Sequence, residues 1–166
     1  MRTIHEEFHY DRAPRELFAL ISSGEFQLEI ISHLGGKDAE LVEETVTPEG
    51  GVKVVTRQHT GVELPGFAKK LIPAITIVTN TYIWQPARSD GSREGTWLAE
   101  VKGVPVSMGG PTSLRAAGSG SAHVFNGEVR ASVPIVGGKL ESFALDNLHR
   151  ELTRAAQFTA GRLAEI

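Results

Sequence analysis

The longest run of helical periodicity lies at the end of the chain, over residues 137–165. Counted at about 100° per residue, Ala144, Leu145, Leu148, Leu152, Ala155, Ala156, Thr159 and Leu163 gather within an arc of about 120°. Lys139, Asp146, Arg150, Arg154 and Gln157 lie opposite. The pattern predicts one amphipathic helix, and at about 1.5 Å per residue it would run roughly 43 Å. Something equally long must cover its apolar face. The preceding segment, 121–133, alternates His123, Phe125, Val129, Ala131 and Val133 against Asn126, Glu128 and Arg130, which predicts a strand of a curved sheet gripping that helix.

From the start of the chain, residues 3–10 alternate as a strand, with Ile4, Glu6, Phe8 and Tyr10 on one face; Glu6 is its odd member. Pro14 suits the first turn of a helix ending near Ser22. Ser22 and Glu25 make a capping-box pattern for a second short helix that stops at Gly35-Gly36. A β-like region follows. Segments 39–47 and 52–60 flank the turn Pro48-Glu49-Gly50-Gly51, and Val54, Thr56 and Gln58 take the interior face of the second. Residues 63–73 break the pattern: Pro65 and Pro73 bracket a stretch suited to one or two helical turns, a candidate lid. Strands are then expected over 75–85, 96–102, 106–116 and 121–133. Trp97, Met108 and Leu114 should face inward, and so should Tyr82 and Trp84, although both faces of 75–85 carry large apolar groups. The order is strand, two short helices, six strands and a long helix: an α+β fold whose antiparallel sheet of about seven strands wraps the last helix, in one domain over 1–166.

Composition adds constraints. The 166 residues are 40% hydrophobic and 22% charged, which suits a globular chain able to bury a core. With 17 basic against 20 acidic residues and no dense Lys/Arg run, the footprint of a nucleic-acid binder is missing. There is no cysteine, which removes disulfides, thiol catalysis and sulfur-ligated zinc. The N-terminal stretch has no signal-peptide core and no apolar run approaches the length of a membrane span, so a cytoplasmic location is expected.

The opening strand running into Ala13-Pro14, together with Gly127-Glu128-Val129, Val133-Pro134 and Gly137-Gly138-Lys139-Leu140-Glu141 leading into the helix, resembles the START-like, polyketide cyclase-like (SRPBCC) superfamily with the helix-grip fold. Within it, the chain looks most like a family of small stand-alone proteins of unknown function. The resemblance covers essentially the whole chain and implies a cavity between sheet and helix for an apolar or amphipathic small molecule. It carries over no functional residue.

Local catalytic signatures are missing: there is no nucleophile elbow, phosphate-binding loop, dinucleotide fingerprint or HExxH zinc motif. His5 and His9 share a face with Glu7, but strand residues four apart stand about 13 Å from each other and cannot share one ion. No metal or cofactor is expected. His123 shares the inward face with Phe125; it is a core histidine bonded to backbone, a residue turned outward by a bulge, or a group touching a ligand. His123, Glu6 and Gln58 are the candidate acid–base groups, since a carboxylate near a buried imidazole could form a proton-transfer pair. The expected ligand-contacting set is Val54, Thr56, Gln58, Tyr82, Trp84, Trp97, Met108, Leu114, His123, Phe125, Leu148 and Leu152. Its small partners on the helix, Ala144, Ala155, Ala156 and Thr159, leave room or let the helix approach closely. Binding of a small hydrophobic ligand is the reading this supports. A cyclase, aromatase or dehydratase using the same cavity, and a co-chaperone-like interaction domain, are the alternatives.

Overall fold

A computed structural model describes all residues from Met1 to Ile166. Strand β1 (Arg2–Tyr10) leads into helices α1 (Pro14–Ile21) and α2 (Gly24–His33). Six strands follow: β2 (Lys37–Val46), β3 (Val52–Gly61), β4 (Ile75–Trp84), β5 (Arg93–Val101), β6 (Val106–Ala117) and β7 (Gly120–Ala131). Helix α3 (Gly137–Ala164) closes the chain with 28 residues. The strands form one antiparallel sheet in the order β1-β7-β6-β5-β4-β3-β2, so only the β1–β7 pairing joins elements distant in sequence. This is a helix-grip architecture, an antiparallel sheet with a long C-terminal helix against it.

Local chemistry sets the element ends. Pro14 opens α1, where a missing N–H costs nothing. The cap of α2 is Ser23 and not the expected Ser22: Ser23 Oγ accepts from Phe26 N at 3.3 Å, whereas Ser22 Oγ turns back to donate to Phe18 O at 2.6 Å. Between β3 and β4, Ala68 N donates to Pro65 O and Ile72 N to Ala68 O, both at 2.9 Å, which makes a single helical turn. Ala68 is fully buried, while Lys69 and Lys70 stand in solvent.

The interior divides into two apolar clusters. One sits beneath α1 and contains Leu17, Phe18, Ile21, Val52, Val54, Trp84 and Leu114. The other joins β5 and β7 to the first half of α3 through Trp97, Phe125, Val129, Leu140 and Leu148, and takes in Ala68 of the inter-strand turn. Phe8 and Tyr82 pack against both. The space between the clusters is where sheet and helix stand apart.

Trp97 shows how the sheet is shaped there. It pairs with Gly110 on β6, and its indole Nε1 reaches beyond that strand to donate to Asn126 O on β7 at 2.8 Å. Gly110 and Gly127 are brought so close that a Cβ on Gly110 would lie 2.5 Å from Gly127 Cα, and one on Gly127 2.1 Å from Gly109 O. Glycine is required by this approach of two backbones, which also leaves the path the indole crosses free of side chains.

Candidate functional site

A cavity of about 230 Å³ opens between the concave face of the sheet and α3. That is below the roughly 300 to 1,000 Å³ common for small-molecule pockets. The aromatic rings of Phe8, Tyr82, Trp84, Trp97, Phe125 and Phe143 project into it and take up space. The helix contributes its small residues: Ala144, Ala155, Ala156 and Thr159 all line the void. Val62, Leu64, Ile72 and Pro73 of the inter-strand segment close one side, and Ile30, Ile31 and Leu34 at the end of α2 another.

Ten of the twelve sequence-expected contact residues border the cavity: Thr56, Gln58, Tyr82, Trp84, Trp97, Met108, His123, Phe125, Leu148 and Leu152. Register settles the ambiguous parity of β4. Val54 pairs with Tyr82 and Tyr82 with Trp97, which puts Tyr82 and Trp84 on the cavity face and leaves Ile75 and Ile83 exposed. Val54 and Leu114 do not reach the cavity. They are 1% and 0% exposed within the cluster beneath α1, where Leu17 and Phe18 cover them. Strand parity gave their face correctly, but α1 seals that end of the sheet.

The three candidate acid–base groups are not brought together. Glu6 pairs with His149 at the outer edge of α3 and does not line the cavity. Gln58 Oε1 accepts from Asn80 Nδ2 at 3.1 Å. His123 lies on β7 with Nε2 at 3.0 Å from Thr112 Oγ1, whose own proton goes to Val124 O at 2.8 Å. The hydroxyl must therefore accept from Nε2–H, which makes Nδ1 the acceptor nitrogen. The imidazole is 6% exposed, with ring centroids of Phe125 and Trp84 at 4.2 and 5.6 Å. Burial pushes its pKa down to about 3, so it is neutral.

A second polar group was missed by pattern reading. Glu151 of α3 lines the cavity and accepts a long hydrogen bond from Asn147 Nδ2, one helical turn back, at 3.4 Å. Burial lifts its carboxyl above the ordinary carboxylate range, against the pull of Asn147, Arg154 and Arg150. Across the cavity, burial and then the Glu151 charge push the Tyr82 phenol up to about 12. The available signal was angular: at about 100° per residue, Glu151 lies only about 20° from Ala144 and about 40° from Ala155, within the apolar stripe's edge.

No group of three or more His, Asp or Glu side chains gathers where it could hold a metal ion. His5 Nδ1 instead meets Asn126 Oδ1 at 2.6 Å, and His9 Nε2 lies 3.2 Å from Glu7 Oε1, both on the solvent side. No helix is long and apolar enough to cross a membrane.

A family model described as "Protein of unknown function (DUF2505)" matches residues 6–163. No curated protein gives a significant match. Among solved structures, TTHA0849 from Thermus thermophilus is similar with a TM-score of 0.64 at 13% identity, over 97% of this chain and 99% of that one. Ms6760 from Mycobacterium smegmatis gives 0.61 at 10% identity, over 98% and 91%. A STAR-related lipid transfer protein fragment from Xanthomonas axonopodis gives 0.59 at 12% identity, over 96% and 86%. At these identities the likeness is one of fold.

Proposed function

We propose that the chain, which belongs to the DUF2505 family of proteins of unknown function and has the helix-grip fold, binds an apolar or amphipathic small molecule between sheet and α3. The observation that carries this reading is the void of about 230 Å³ kept open beside small helix residues, with most of its lining apolar and a few polar groups at fixed places. A chain selected only for a packed core would fill such a space, since burying a larger side chain at Ala144 or Ala155 would add stability. The lipid-transfer name of one structural neighbour agrees with this use of the fold. Catalysis has less support, because Glu6, Gln58 and His123 each have separate partners and form no proton-transfer pair.

The test is a thermal-shift screen of sterols, flavonoids, aromatic polyketides, long-chain alcohols and fatty acids against the wild-type protein and Leu148→Trp. Leu148 borders the cavity from the middle of α3, and an indole there fills it. A concentration-dependent rise in Tm that is lost in a folded Leu148→Trp supports the reading. An unchanged rise in that variant places binding elsewhere and overturns it.

A further inference from the structure

The cavity's polar lining is lopsided in charge. Of the 38 residues that border it, none is Lys or Arg, and the single carboxylate is Glu151. His123, its one imidazole, is buried without a charged neighbour and stays neutral. The nearest cations to Glu151 do not enter the cavity: Arg150 turns to Asn147 Oδ1 at 3.2 Å and Arg154 to His33 O at 3.5 Å. A ligand anion would therefore meet one like charge and no counter-ion, in a space of low effective dielectric.

Neutral polar groups of the sheet line the cavity opposite Glu151 and Asn147 of the helix. Asn80 and Tyr82 alternate on the inner face of β4, Asn80 holds Gln58 of β3, and the Tyr82 phenol feels the Glu151 charge from across the cavity. With Asn147 beside Glu151, the set offers amide and phenol donors and a carboxylate acceptor to one end of a bound molecule. We propose that Glu151, with Tyr82 and the Asn80–Gln58 pair, makes this end a reader of ligand charge: it accepts an apolar molecule bearing a neutral hydroxyl and turns away one ending in a carboxylate. This rests on the cavity-binding reading above and names its ligand class.

The experiment uses two probes with the same hydrocarbon chain, decan-1-ol and decanoate, titrated calorimetrically at about pH 8, where the free acid is fully ionised. Decan-1-ol should bind wild type at least about tenfold more tightly than decanoate. Glu151→Gln, which keeps shape and removes the charge, should narrow that ratio by about threefold or more, chiefly by tightening decanoate. Desolvation of the carboxylate alone would leave the ratio the same in both proteins. Equal affinities in wild type, or a ratio unmoved by Glu151→Gln, would overturn the charge-reader role while leaving cavity binding in place. Binding of neither probe would overturn the charge-reader role, while cavity binding is decided by the thermal-shift screen with Leu148→Trp. Should Glu151→Gln fail to fold, Glu151→Leu reads the same ratio.

Discussion

The Trp97 indole donates to the Asn126 carbonyl at 2.8 Å across an intervening strand that has only glycine beneath it. The contact ties β5 to β7 at the floor of the cavity, and the Trp97 side chain is buried, so the carbonyl loses this partner if the N–H is removed. Trp97→Phe should cost about 1 to 3 kcal/mol in chemical denaturation followed by circular dichroism. A change within about 0.5 kcal/mol would mean that the bond does not hold the sheet. Gly110→Val should be far more damaging, because its Cβ has no room beside Gly127.

His123 makes stability depend on acid. Its folded pKa of about 3 lies below the ordinary 6.5, so between those values the unfolded chain holds a proton that the native state excludes. Stability should fall as pH drops through 6.5 and level off near the folded value. At about pH 5 the loss from this one group would be about 2 kcal/mol. Glu151, with its raised pKa, acts in the opposite direction, so the contribution of His123 is isolated by comparison with His123→Phe. Urea midpoints at neutral and mildly acidic pH should separate further in wild type than in that variant. Equal separations would show that His123 does not titrate as its burial requires.

Leu114 and Leu152 provide a paired test of where the void lies. Leu114 is fully buried beneath α1, outside the cavity, so Leu114→Ala should cost about 2 to 5 kcal/mol. Leu152 faces a space that already exists, so Leu152→Ala removes fewer contacts and should cost clearly less. Equal losses would place Leu152 in dry core.

The segment Glu63 to Pro73 has one helical turn and few backbone bonds, yet four residues of segment 62–73, Val62, Leu64, Ile72 and Pro73, wall the cavity. Hydrogen exchange should find it among the least protected internal regions, opening to admit ligand. Protection equal to that of β7 would exclude a lid role.

Much of the fold was legible because its punctuation is chemical. Pro14, the Pro48–Gly51 turn and the period of α3 each have one good structural reading. The parity of β4 was not legible, since isoleucine, valine, tyrosine and tryptophan are spread over both faces; only pairing with β3 and β5 fixes it. Val54 and Leu114 show that alternation assigns a face but not which part of that face a distant helix covers. Glu151 was hidden for a different reason. A charged residue on an amphipathic helix is normally solvated, and only the cavity makes the edge of the stripe an interior position.

For a small apolar molecule held between sheet and helix the chain carries its own reporters: its two tryptophans, Trp84 and Trp97, both border the cavity. The most direct measurement is a titration with 1-aminoanthracene, an uncharged fluorescent aromatic, reading energy transfer from protein to probe. A ligand in the cavity should give saturable quenching of both tryptophans with one probe per chain, retained in Trp97→Phe through Trp84 and abolished in folded Leu148→Trp. Probe binding that leaves tryptophan emission unchanged, or that persists in Leu148→Trp, would contradict it.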